Sequence, residues 1–340
     1  MLQKKFIQSL IFLVVFIVFV YVIILIKPAE TFNVLKKVDE HLIIGSVVLC
    51  FLFIFLCASR WKIIIMEIEA KESSRLFNCM GFFSLGYLTG LIVPSRLGYY
   101  CKAPLLSKYD NIPLSRGISA VNIETLMDLF FLIIATVISV SVFIFYNSYF
   151  TTFLNTILIG LFLAFLCIFT YTLFYSEILL SFCTKIRDGF LTRNDANICI
   201  CSLKRIFINL VQIIIGTKEL LIKRKLLITL LIITFLSQIV NLFAFYYVIL
   251  SIGKNLPILY LFSILTISTL IGIISMIPGG FGSLDLSLIF FLQNAGFSLS
   301  ESLNIAILWR FCVIFPMFLV GSIFLLKDKI RGGLLFRTPQ

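Results

Sequence analysis

The sequence predicts an all-α polytopic membrane protein, with about six crossing helices, two re-entrant helical hairpins and the pattern of an inverted repeat. Three observations lead there. Of 340 residues, 61% are hydrophobic and only 13% charged, with a mean hydropathy of +1.12. A soluble domain carries about 25% charge, and a chain this apolar cannot cover itself with polar surface, so lipid must be its solvent. Long apolar segments recur at about 6–26, 41–58, 76–93, 121–146, 153–175, 226–250, 257–277 and 301–326. A roughly 30 Å hydrocarbon core needs about 20 such residues. Finally, the third and seventh segments end in breaks rich in proline and glycine, each followed by a shorter apolar stretch, at about 97–107 and 283–296.

The first segment, Phe6 to Ile26, is uncharged and follows Lys4 and Lys5. Its length, and the lack of a small-x-small cleavage site, predict an uncleaved anchor rather than a signal peptide. The path of the later segments follows from charge. If all eight crossed, with the N-terminus inside, 11 basic residues would lie inside and 15 outside, against the positive-inside rule. If instead 76–107 enters from the cytoplasm and returns near Pro94, and 257–296 enters from outside and returns near Pro278-Gly279-Gly280, the balance becomes 22 inside against four outside. That count sets Arg96 and Arg310 aside as intramembrane residues and places both termini in the cytoplasm.

The breaks are chemically suited to turning. Gly90, Pro94 and Gly98 surround the first; Gly272, Pro278, Gly279, Gly280 and Gly282 surround the second. Proline lacks an amide hydrogen, and glycine tolerates left-handed backbone angles. Broken backbone at membrane depth survives only inside protein or beside a watery cavity. Two breaks in corresponding halves, entered from opposite faces, point to a transporter-like site between inverted repeats; kinked crossing helices are the competing reading. The remaining polar region, about 176–225, is basic and contains an amphipathic stretch, Ile198–Leu221, predicted to lie on the cytoplasmic surface. No Gly-, Ser- or Pro-rich linker divides the chain, so 1–340 reads as one transmembrane domain.

The net charge of +12 sits in loops between apolar stretches. It reads as membrane orientation and attraction to anionic lipid, not nucleic-acid binding. Nine scattered cysteines without a CxxC, and a single histidine, His41, predict neither a disulfide framework nor a zinc site. No DDxxD, HExxH or GxxxxGK[ST] motif occurs, so no cofactor and no enzyme activity is predicted. Glu30, Asp39 and Glu40 could serve a membrane glycosyltransferase, but an ordinary solvated loop explains them better. Trp61, Tyr99 and Tyr100 read as interfacial aromatics.

Six residues are candidates for substrate contact. Glu124 and Asp128 lie four apart, on one face of a helix, just ahead of an apolar run. Ionisable groups at that depth are expensive and are paired or functional. They either line a cavity, or pair with Arg96, Lys102 or Arg116. Arg96 follows the first break, where a planar guanidinium suits a head-group phosphate; it could equally neutralise Glu124 or Asp128. Asp285 follows the second break, and Arg310 lies too far inside the last segment to reach an interface, so the two are expected to pair across the hairpin.

The same residues resemble a known family, the transmembrane region of lysylphosphatidylglycerol synthases, which is the flippase half of the multiple-peptide-resistance factor. Arg60-Trp61 resembles its Arg-Trp. Pro94-Ser95-Arg96-Leu97-Gly98-Tyr99-Tyr100-Cys101-Lys102-Ala103 is similar to its Pro-Gly-Arg-x-Gly-Glu-x-x-Arg-Ala block, and Glu124-Thr125-Leu126-Met127-Asp128 to its Glu-Arg-x-x-Asp. Pro278-Gly279-Gly280-Phe281-Gly282, followed by Asp285, Gly296 and Arg310, resembles its hairpin and last helix. The departures are Ser95 for Gly, Tyr99 for Glu, Lys102 for Arg, Thr125 for Arg and Asp285 for Glu. Those at 99 and 125 remove one charge of each sign.

The resemblance implies movement of a phospholipid or lipid-linked intermediate between the leaflets of a prokaryotic cytoplasmic membrane. Its expected partners are anionic or phosphate-bearing membrane lipids and an envelope-lipid or glycolipid biosynthetic enzyme. Lysyl transfer is not implied, because the family's soluble transfer domain has no counterpart in this sequence. In the expected mechanism, Arg96 and Arg310 neutralise a head-group phosphate near the breaks, while Glu124, Asp128 and Asp285 balance them or bind cationic groups, with Lys102 as a further substrate-contact candidate. The alternatives are an integral-membrane transferase acting on a lipid-linked sugar and a non-catalytic partner of an envelope-lipid enzyme.

Overall fold

The computed structural model describes residues 36, 38–69, 75–93, 95–146, 160 and 212–330, and all of their side chains except those at 69, 95, 96 and 144–146. Among the described residues every regular element is helical: α1 (Glu40–Glu69), α2 (Leu76–Gly90), a 3-10 segment (Ser95–Cys101), α3 (Lys102–Asp110), α4 (Leu114–Tyr146), α5 (212–222), α6 (Arg224–Ser251), α7 (Ile258–Ile274), a 3-10 turn (Pro278–Gly280), α8 (Ser283–Asn294) and α9 (Leu299–Ile330). This is the all-α polytopic architecture that composition predicts. Four helices, α1, α4, α6 and α9, are long and apolar enough to cross a membrane, and they coincide with four of the six predicted crossing segments. The other two, 6–26 and 153–175, lie outside the described residues, as does most of the predicted amphipathic region.

The long helices pair antiparallel. Along the α1–α6 seam the Asp39 amide donates to the Ser251 carbonyl at 2.9 Å, and the Ser46 hydroxyl donates to the Ala244 carbonyl at 2.8 Å. Gly45 admits the edge of the Tyr247 ring, where a Cβ would come within 2.8 Å. Likewise α9 lies along α2. Gly81 leaves room for the Phe324 ring, which a Cβ would meet at 2.3 Å, and Gly321 rests on Leu85 and Leu88. In both seams a missing side chain sets how near the helices come, which gains dispersion contact in lipid, where no hydrophobic force drives helices together.

At each break the chain folds back on itself. The first return brings Gly98 onto the backbone of Thr89 and Gly90, with a Cβ excluded at 2.1 Å, and Lys102 beside Gly86. Tyr109 then packs edge-on to Phe82 with centroids 5.4 Å apart. The second return places Gly272 against Leu284 and joins the Ser275 and Ser283 hydroxyls at 2.7 Å. Its turn needs positive φ at Met276 (52°), Gly279 (61°), Gly280 (61°) and Gly282 (86°). At about 22, 26 and 18 Å, the 15, 17 and 12 residues of α2, α7 and α8 are all shorter than the roughly 30 Å hydrocarbon core.

Candidate functional site

Two charged centres, one buried and one partly exposed, lie near the breaks. The first joins four helices. Arg60 projects from the middle of α1, 2% exposed. It donates to Glu124 Oε1 at 2.9 Å, to Asp128 Oδ1 at 2.6 Å and to the Thr234 hydroxyl of α6 at 2.7 Å. Lys102, at the start of α3 and wholly buried, donates to the other oxygen of Glu124. The helical spacing of Glu124 and Asp128 presents both carboxylates to one arginine. Two cations and two carboxylates balance, which is what permits such burial, since an unpaired ion in a low-dielectric interior costs several kcal/mol or more.

Aromatic faces complete the Lys102 site. Its ammonium lies 4.4 Å from the Trp61 ring centroid, 5.1 Å from Tyr99 and 5.6 Å from Phe83, all within cation–π range. This corrects the interfacial reading of Trp61, which is fully buried, and of Tyr99. Tyr100 donates from its hydroxyl to Asn122 at 2.7 Å. Arg60 and Lys102, which the charge count includes among its 22 inner basic residues, are likewise buried rather than in loops. Of the partners weighed for Glu124 and Asp128, Lys102 is used. Arg116 instead reaches the Ile68 carbonyl at 3.4 Å on the surface. The Arg96 side chain and Pro94 lie outside the described residues.

The second centre is the Asp285–Arg310 pair expected across the hairpin. Arg310 Nε and Nη2 donate to the two carboxylate oxygens at 2.8 and 3.0 Å, while Nη1 and Nη2 reach the carbonyls of Gly279 and Gly280 at 2.8 and 3.2 Å. The guanidinium also stacks 4.8 Å from the Phe281 centroid. Asp285 accepts the Gly282 amide at 3.1 Å, capping α8. Arg310 thus supplies the hydrogen bonds that the broken backbone at Pro278-Gly279-Gly280 cannot make for itself.

A cavity of about 240 Å³ lies between the breaks, lined by Gly90, Leu91 and Tyr99 from the first and Ile277, Gly279 and Gly280 from the second, with Arg310 in its wall. A second, of about 150 Å³, is lined by Asp128, Gln238 and Thr266. Phe53, Asn241, Leu265 and Thr269 border both. The first cavity thus reaches Arg310, and the adjoining second reaches Asp128 of the Arg60 centre. Among the described residues no cluster of His, Cys, Asp or Glu could hold a metal. Of the acids weighed for a transferase, Asp39 accepts the His41 amide at 2.9 Å and caps α1, and Glu40 occupies its exposed first turn; Glu30 lies outside the described residues.

Sequence reasoning missed Arg60 as a member of the site. The Arg60-Trp61 pair was visible, but Lys62 after it imitates the basic end of a span. The better signal was the apolar run Ile63-Ile64-Ile65-Met66 beyond, which continues α1 past the arginine. Asp328 was also missed. It is 4% exposed and accepts the Tyr109 hydroxyl, which ties α3 to the end of α9.

Comparison with known proteins agrees with the motifs. A membrane protein of the UPF0104 group from Methanothermobacter thermautotrophicus is 23% identical over 290 residues, covering 82% of this chain and 83% of its own. Another of that group, from Methanocaldococcus jannaschii, is 28% identical over 234 residues, 68% of this chain and 90% of its own. The phosphatidylglycerol lysyltransferase of Bacillus subtilis is 30% identical over 83 residues, 24% of this chain and 10% of that enzyme. The family profile of the lysylphosphatidylglycerol synthase TM region matches residues 8–321, and the chain belongs to that family of membrane proteins.

Proposed function

We propose that the protein is a flippase-like transporter that moves a phospholipid or lipid-linked intermediate between leaflets, without chemistry of its own. One observation carries this reading: both backbone breaks line one cavity beside Arg310, and an adjoining cavity that shares four of its lining residues reaches Asp128 of the other charged centre. Adjoining cavities of this kind give a head group a route through the hydrocarbon region while its acyl chains remain in lipid. Each of the two described charged centres is neutral, with Arg60 and Lys102 facing Glu124 and Asp128 and with Arg310 facing Asp285, so a head group beside them meets hydrogen-bonding partners without a large net charge. The opposed hairpins suit alternating access by rocking of the two halves. Arg96 and Lys102 then lie on the first hairpin's return arm and Arg310 beside the second break. No nucleotide motif occurs in the sequence, so transport is downhill, ion-coupled or driven by a partner enzyme.

Proteoliposomes carrying an acyl-labelled fluorescent phospholipid test the proposal. Dithionite quenching of the inner-leaflet probe should proceed at least ten times faster than in protein-free vesicles, and Arg96→Ala, Asp128→Asn and Arg310→Ala should each slow it. Translocation at the protein-free rate would end the proposal. The re-entrant topology is tested separately by cysteine labelling in cells: Lys108→Cys should be reached only after the membrane is permeabilised, as a cytoplasmic position requires.

A further inference from the structure

Beside the Arg60 centre, polar side chains from three helices meet with too few partners of their own. The smaller cavity is lined by Asp128 from α4, Gln238 and Asn241 from α6, and Thr266 and Thr269 from α7. Within α6 and within α7 the two residues are one helical turn apart and share a face. Gln238 and Thr266 fall at the midpoints of their helices. Thr269 donates its hydroxyl to the Leu265 carbonyl at 2.7 Å. Thr266 differs: it is 7% exposed, and among the described residues its hydroxyl has no hydrogen-bond partner. Nor do the side-chain amides of Gln238 and Asn241. Polar groups left unsatisfied inside a protein cost free energy, and at membrane depth they mark functional positions.

From this arrangement we infer that the cavity beside Asp128 is a binding site for a monovalent alkali cation. Its polar lining offers a carboxylate, two amide carbonyls and two hydroxyls, the oxygen ligands that hard cations select. A single carboxylate, one oxygen of which already accepts from Arg60 at 2.6 Å, supplies too little negative charge for a divalent ion. No thiolate or imidazole lines the cavity for a transition metal. The use of the cation rests on the flippase reading and deepens it. Arg60 and Lys102 balance Glu124 and Asp128, so an anionic phosphodiester head group arriving beside this centre leaves it negative. A cation at Asp128 restores neutrality, which makes joint entry of the two more favourable than entry of either alone. The site thereby couples lipid movement to a cation gradient.

Binding is read first, without transport. Thermal unfolding of the purified protein in detergent is followed in sodium, potassium or choline chloride at equal ionic strength. One alkali chloride should raise the midpoint over choline by about 3 °C or more, and Thr266→Val and Gln238→Leu should each abolish that rise. Thr266→Val should leave the midpoint in choline unchanged or higher, whereas loss of a purely structural hydroxyl would lower it in every salt. Lys223→Ala, at the exposed pair with Glu67, should keep the full rise. Equal midpoints in the three salts, or a rise that survives both cavity variants, would overturn the site while leaving the flippase reading intact. In proteoliposomes, a gradient of the same cation should speed translocation of acyl-labelled phosphatidylglycerol at least fivefold over choline, and less than twofold in Thr266→Val. Acceleration by an imposed pH gradient, and not by the alkali cation, would overturn the coupling in favour of a proton. An alkali-specific midpoint rise without translocation of any lipid would support the site and overturn the flippase reading.

Discussion

The two charged centres use one chemistry for two purposes. Both set an arginine against carboxylate, and both are neutral. At the Arg60 centre the side chains of Arg60 and Glu124 are 3% and 4% exposed, and every acceptor or donor is a side chain on another helix. At the Arg310 centre the pair is 16% and 24% exposed, and two of the hydrogen bonds go to backbone carbonyls of the turn. The first centre therefore braces α1, α3, α4 and α6 at a fixed register. The second repairs a broken backbone, and its partial exposure leaves it able to rearrange. Asp128 and Asp285 are almost equally exposed, at 23% and 24%, so what separates the two centres is the partner of the arginine: side chains of other helices at the first, carbonyls of a turn at the second.

The sharpest way to break this comparison is to remove Arg60. Arg60→Met strands buried carboxylates, and should destabilise the protein by about 3–5 kcal/mol, seen as a lowered thermal-unfolding midpoint in detergent or as loss of monodisperse protein. Arg60→Met combined with Asp128→Leu leaves the Lys102–Glu124 pair balanced, and should recover much of that loss. A double variant as unstable as the single one would show that the network is not held by charge balance.

Arg310→Lys should have a smaller effect, about 2 kcal/mol. It keeps the charge beside Asp285 but loses the planar fork, and with it the contacts to Gly279 and Gly280. The thermal midpoint gives the size. A cysteine at Phe281 gives the mechanism, since its labelling rate should rise in the Arg310→Lys background if the turn loosens. Glycine substitutions refine the picture further. Gly279→Ala forces a side chain into φ 61° and to within 2.8 Å of the Phe281 ring, and should cost about 1–2 kcal/mol. Gly253→Ala, at φ 76° with open space around it, should cost about 1 kcal/mol and leave lipid movement unchanged.

The smallest effect is expected at the surface. Lys223 and Glu67 form a 2.7 Å pair whose side chains are 44% and 42% exposed. Lys223→Ala should change stability by under about 1 kcal/mol, and less at high salt. A large loss there would mean that exposed charge at this end of the bundle, and not only the charged centres, organises it.

The sequence by itself determined the all-helical membrane architecture, the four described crossing helices and the positions of both breaks, because these depend on local quantities: unbroken apolar length, and the backbone freedom of glycine and proline. It also indicated the Asp285–Arg310 pair, since one hairpin brings those two residues together. Tertiary structure alone decided which cation neutralises Glu124 and Asp128. Arg60 is 64 and 68 residues from them in sequence, and only the packing of α1 against α4 and α6 brings it there. The same packing decided that Trp61, Tyr99 and Phe83 surround Lys102 and that Phe53 borders two cavities. Charge and aromatic character are readable residue by residue, whereas burial is a property of helices meeting, and burial is what turns those residues into a site.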